Sequence, residues 1–401
     1  MFRVLGRVAL GAMLAVMASA GVAQAKKITV LHIFGGGAGG GRVKSQMLLD
    51  PVGNLFGTTL QGGIGSNGVI FQVAPNGTES LLHAFTGDDG AAPQGGLATD
   101  GAGNLFGTAT QGGSSGKGTV FALAFNGQIT VLHNFAGGHD GATPRGVLAR
   151  DRKGNLYGTT EFGGVHGFGT VFEVAPSGKE KVLYAFTGGI DGSEPVSGLV
   201  MDSDGNLYGT TQSGGDAGGG TVSQNGAVFK LSQGAGKTWT ESVLYTFQGG
   251  ADGSAPDTGL LIDASGNLYG TTSGGLPCFI TGACGTVFKL APNGVETVLH
   301  AFSSPDWSDG GVPTSLTMDK KRNLYGTTAD GGGTGCQGEG CGTIFGISAA
   351  GAYSQLYAFK GGNGGDGPQA LVKDAKGNLF GATYGGGGDA DVGLIFELKH
   401  K

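Results

Sequence analysis

Apolar positions along the chain fall in short alternating runs of strand length, each ended by a turn rich in Gly, Asp, Asn or Pro. One stretch shows the whole unit: GLVMD (198–202), NLYGTT (206–211), GAVFKL (226–231) and SVLYTF (242–247) read as four consecutive strands, a to d. Near copies of GNLYGTT begin at Gly53, Gly103, Gly154, Gly205, Gly266, Arg322 and Gly377, so their starts lie 50, 51, 51, 61, 56 and 55 residues apart. Outside the first 25 residues no apolar 3.6-residue period runs beyond a turn or two, which makes the body all β.

Four strands in about 50 residues match one propeller blade, whereas a coil of a β-helix needs about half that length. The strand count predicts how the ring closes. ITVLHIF (28–34) is a lone d strand, six complete sets follow, and the last set stops after strand c at Gly393 to Leu398. Pairing the first strand with the last gives a seven-bladed β-propeller of four-stranded blades in which no blade is one strand short. Within a strand d such as VLHNF, Leu132 and Phe135 have opposite parity, so both faces of the sheet are expected to be buried, as in blades packed face to face.

Composition refines this picture. The 88 glycines cluster at fixed places between apolar runs, as turn residues do, and not in the triplets of collagen. Residues 1–25 differ in kind: Arg3 and Arg7 precede an apolar run from Val8 to Met17 and an Ala23-Gln24-Ala25 site, the pattern of a secretory signal cleaved near Ala25. A membrane anchor is the competing reading, although the run is shorter than the ~20 residues of a span. Residues 26–401 then form a single propeller domain with no span in the mature chain, secreted or periplasmic, and expected to be a monomer. The full chain carries a net charge of −6. Loss of two arginines with the leader leaves the mature chain still more acidic, which argues against nucleic acid or an anionic membrane as partner. Four cysteines, as the pairs Cys278 with Cys284 and Cys336 with Cys341, suit two local disulfides in an exported protein, with a shared zinc site as the alternative.

Candidate chemistry is sparse. An Asp stands four residues before the Asn of each strand b, and at Asp202 the string DSDGN also resembles the start of a calcium loop, without the Glu such a loop needs at its twelfth position. A second motif, Asp-Gly-x-x-Pro, lies between strand d and the next strand a at Asp89, Asp140, Asp191 and Asp252; Asp309 keeps the spacing to its Pro and Asp366 shortens it. Its structural reading is an Asx turn, and its functional one a carboxylate ring at the channel mouth for a cation or sugar hydroxyls. No cofactor is implied beyond that possible calcium. The b–c loops differ most between repeats and share a face with the d–a connections, so Phe162, His166 and Phe168 join the carboxylates as candidate binding residues. His32, His83, His133 and His300 occupy a strand d position filled elsewhere by Tyr184, Tyr245 and Tyr357, a repeat position and not a general base. No nucleophile elbow, zinc-protease motif or phosphate loop is present.

The unit GNLYGTT, GG, GTVF and VLxxF resembles the GloVer tandem-repeat family of exported bacterial proteins, over essentially all of the mature chain. That resemblance implies export and no mechanism. Two function classes follow: a binding module for a glycan or protein at the cell envelope, or a carbohydrate- or ester-active hydrolase or lyase at the channel mouth.

Overall fold

A computed structural model describes residues 27–216, 222–275, 285–302, 307–333 and 335–400. These form seven antiparallel sheets in a ring, a seven-bladed β-propeller. Blades 1 to 7 are numbered by their strands b: Leu55–Gln61, Leu105–Ala109, Leu156–Phe162, Leu207–Thr211, Leu268–Thr272, Leu324–Asp330 and Leu379–Gly385. Blade 7 is closed as the strand count requires. Its strand d is Ile28–Ile33, which pairs antiparallel with Leu394–Leu398 from Ile28 opposite Leu398 to Ile33 opposite Leu394.

The core lies between the blades. Phe34, Phe85, Phe135, Phe186, Phe247, Phe302 and Phe359, one after each strand d, are all buried. Each sets its ring edge-on against a Phe in strand c of the next blade, from Phe34 on Phe71 through Phe359 on Phe396, with centroids 5.1 to 5.3 Å apart. This row explains the glycine of GNLYGTT. A Cβ at Gly209 would lie 2.6 Å from Cζ of Phe229 and 2.8 Å from Leu199, and all seven equivalent glycines face a strand c Phe in this way. The two threonines that follow have separate tasks. Thr159 donates to the Ser197 carbonyl of the next blade at 2.9 Å, and Thr160 accepts the Thr170 N–H of its own strand c at 3.2 Å.

The Asp before each strand b builds the turn that enters it. Asp151 Oδ1 accepts the N–H groups of Lys153 and Asn155, and its Oδ2 accepts the Asn155 side-chain amide at 2.8 Å. The turn residue before the Asn has positive φ, supplied by Gly in six blades and by Arg322 at φ 66° in blade 6. At Asp202 the same bonds, from Asp204, Asn206 and the Tyr208 hydroxyl, occupy both oxygens. Burial pushes Asp202 up, but these donors outweigh it and hold the carboxyl below its usual range.

Strand a departs from the expected five residues. It is two residues long in blades 2, 4 and 5, as at Val200–Met201, and is split in blades 1 and 3, as at Gly41–Val43 and Leu48–Leu49. These five blades carry one residue more between the Pro-equivalent position and the following Leu or Met than blades 6 and 7, whose strands a run unbroken over Gly311–Met318 and Asp366–Lys373. The extra residue breaks the ladder beside the axis. Cys336 and Cys341 form a disulfide with Cα atoms 5.3 Å apart. The leader (1–25) and the pair Cys278 and Cys284 lie outside the described residues. No described helix is long and apolar enough to cross a membrane.

Candidate functional site

The carboxylates of the Asp-Gly-x-x-Pro turns sit at the outer ends of the blades, where each meets the His or Tyr of the preceding strand d. His83 Nε2 lies 2.8 Å from Asp89, His133 3.4 Å from Asp140 and His300 3.4 Å from Asp309. The hydroxyls of Tyr184 and Tyr245 donate to Asp191 and Asp252 at 2.9 and 3.0 Å. The same carboxylates accept turn N–H groups, those of Thr86, Ala136, Thr187 and Gln248. Thus two sequence features that read as separate are halves of one turn lock. Asp366 does not belong to this set. It opens strand a of blade 7 opposite Gly385, at the place Ser254 holds before Pro256, because the shortened spacing moves it two positions along the turn.

A second carboxyl adjoins three of these locks from strand d of the next blade. Burial, and then the charges of Asp140, Asp191 and Asp252, push Glu180, Glu241 and Glu296 up to about 7. In each of the three glutamates Oε1 is inaccessible and has no hydrogen-bond partner among the described residues. Burial also holds His133 below the usual histidine range, against the pull of Asp140.

Phe162 ends strand b of blade 3 and His166 and Phe168 lie in the b–c loop that follows; all three are exposed, Phe162 and Phe168 at 44% and 43%. That loop is clasped by the d–a connection on the same face, where Gly164 N–H donates to the Gly138 carbonyl at 2.6 Å. None of these three residues, and none of the six turn carboxylates, lines the axial cavity.

The axis is lined instead by the residue after each Pro or its equivalent: Lys44, Gln94, Arg145, Val196, Asp257, Thr314 and Gln369, one from every blade. They surround a cavity of about 280 Å³ that also takes in Gln46, Ser197, Gln212 and Thr258. The backbone before this ring is strained in a repeated way. Arg42, Ala92, Thr143, Glu194, Ala255, Val312 and Gly367 all have φ between 50° and 59°. That is the left-handed region, unusual for a β-branched Thr or Val. The turn is held there by bonds to the neighbouring blade, as from Thr143 N–H to the Lys117 carbonyl at 2.9 Å.

The charges of the ring are unequally satisfied. Arg145 donates to Glu161 at 3.0 Å and to the Gln94 side chain at 3.1 Å. Burial pushes Glu161 up, Arg145 pulls it down, and Glu194 and Lys44 add smaller effects of opposite sign, leaving it raised. Asp257 stands apart: its Oδ1 is inaccessible and lacks a hydrogen-bond partner among the described residues. Burial drives its pKa up to about 6 against its own N–H, Lys44, Ser273 and Arg145. The ring was missed in the sequence, yet a signal was there. It is the residue directly after the repeated Pro, which changes in chemical kind from each blade to the next.

Among the described residues no group of three or more His, Cys, Asp or Glu side chains is placed to hold a metal. The Gloeobacter/Verrucomicrobia repeat model matches residues 21–223 and 218–401. No curated protein matches the chain. Solved structures share its fold at low identity. The extracellular domain of a protein named as a one component system, from B. thetaiotaomicron, is 10% identical with a TM-score of 0.60, over 94% of this chain and 40% of that one. A GH74 enzyme from Niastella koreensis is 16% identical with a TM-score of 0.60, over 88% and 52%. A protein named as a 6-phosphogluconolactonase, from Bacteroides uniformis ATCC 8492, is 16% identical with a TM-score of 0.51, over 79% and 85%. The chain thus spans less than two thirds of the first and second of these structures.

Proposed function

The chain belongs to the Gloeobacter/Verrucomicrobia repeat family, and we propose that it is a ligand-binding propeller of the cell exterior or envelope whose site is the axial cavity. One observation carries this reading: all seven blades deliver a side chain to one polar cavity, six kinds in all, and two of the charged ones, Lys44 and Asp257, have no ion-pair partner among the described residues. Lys44 is exposed and Asp257 half-buried at the cavity wall, so both charges are open to a ligand in it. At about 280 Å³ the space suits a molecule smaller than a drug. Export is supported by the signal-like leader and by the Cys336–Cys341 disulfide. A thermal-shift screen of small polar metabolites tests the reading, repeated on Val196→Trp, which fills the cavity from one of its two valines. Stabilisation by a hit should vanish in that variant; a hit that survives it would overturn the axial site.

A second reading, hydrolysis or elimination at the same place, is favoured by Asp257 alone. A carboxyl raised to about 6 is tuned for proton transfer near neutral pH. Two of the propellers similar in fold are named as enzymes of sugars or sugar lactones, which makes glycosides and lactones the substrates to try first. Turnover lost in Asp257→Asn with binding retained would establish it.

A further inference from the structure

We infer that the axial cavity takes a small zwitterion of the α-amino acid class, its ammonium on Asp257 and its carboxylate on Lys44; this rests on the axial-site reading above. Three charged side chains line the cavity, and one of them is already answered, since Arg145 is bound to Glu161 at 3.0 Å and caps the Gln94 side chain at 3.1 Å. The remaining two, Lys44 and Asp257, have opposite signs and line the same cavity, and neither forms an ion pair among the described residues.

Their places in the ring explain why. Lys44 comes from blade 1 and Asp257 from blade 5, so in a ring of seven they face each other across the axis. A single anion would satisfy Lys44 and repel Asp257, and a single cation would do the reverse. A neutral polyol would leave both charges without a counter-charge in a confined space. A molecule with both charges a few bonds apart answers both at once. The other wall groups, Gln46, Gln212, Gln369 and Thr258, both donate and accept, so they suit a polar side chain on that ligand better than a large apolar one.

Isothermal titration of the purified protein with L-serine and L-glutamine, with their N-acetyl forms that keep only the carboxylate, with their amides that keep only the ammonium, and with glucose separates the possibilities. Binding of at least one free amino acid is expected, weakened about tenfold or more when either end is capped. Lys44→Met should weaken the free acid but not the amide, and Asp257→Asn the free acid but not the N-acetyl form. This crossed pattern cannot come from misfolding, which would weaken every probe. Glucose binding alone, abolished by Val196→Trp, would overturn the zwitterion and keep the axial site. An amino acid that binds equally well to both variants would overturn the zwitterion assignment, and one that also binds unchanged to Val196→Trp would overturn the site as well. Failure of every probe to bind at millimolar concentration would overturn the zwitterion alone.

Discussion

The outer and inner ends of a blade are built from the same repeat but obey opposite rules. At the outer end the strand d Phe and the His/Tyr-to-Asp lock recur with little variation, and each residue touches the next blade or closes a turn. At the inner end the residue after Pro changes in kind from blade to blade, Lys, Gln, Arg, Val, Asp, Thr and Gln, while the turn that carries it keeps the same left-handed φ. The backbone is repeated where the side chain is not. Repetition therefore marks what the ring needs in order to stand, and its local failure marks where the ring can be selective.

This contrast can be broken by experiment. The largest effect belongs to closure: removing residues 27–34 takes away strand d of blade 7 and Phe34, and the melting temperature should fall by tens of degrees or cooperative unfolding should be lost; an unchanged midpoint would refute ring closure. Phe135→Ala follows, at about 3–5 kcal/mol in denaturant unfolding, because its ring is fully buried against Phe172. Gly209→Ala forces a Cβ into Phe229 and should cost about 1–3 kcal/mol.

The outer carboxyl pairs give a pH signature. Glu180, Glu241 and Glu296 are raised to about 7 in the fold, so the folded state holds their protons more tightly than the unfolded chain. Their contribution is fully present below the ordinary glutamate range and is lost as pH rises through about 7. The melting temperature should decline over that window, and the triple Glu→Gln variant should flatten the decline. Smallest of all, Lys44→Ala and Val196→Ala at the inner ring should change stability by no more than about 0.5 kcal/mol. Inner substitutions that cost as much as Phe135→Ala would erase the distinction.

Much of the fold was legible because a seven-fold repeat states its own period. The spacing of GNLYGTT and the lone strand at 28–34 were enough for blade number and closure. The site was not legible for the same reason. Asp89, Asp140, Asp191 and Asp252 stood out because they recur, and recurrence belongs to the turn lock. Lys44 and Asp257 look like unrelated residues until seven turns place them on one axis, and no spacing within a single repeat encodes that convergence. Asp366 misled because a two-residue shift in its turn leaves the letters Asp-Gly-Pro intact while changing the position they occupy.

The pairing of Ile28 with Leu398 also sets the order of events during synthesis. The two partners stand 370 residues apart in sequence, so closing the ring carries the loop entropy of almost the whole described chain. Blades 1 to 6 can gather as they emerge, each on its predecessor, but the ring stays an open arc with two exposed edges until strand c of blade 7 is complete.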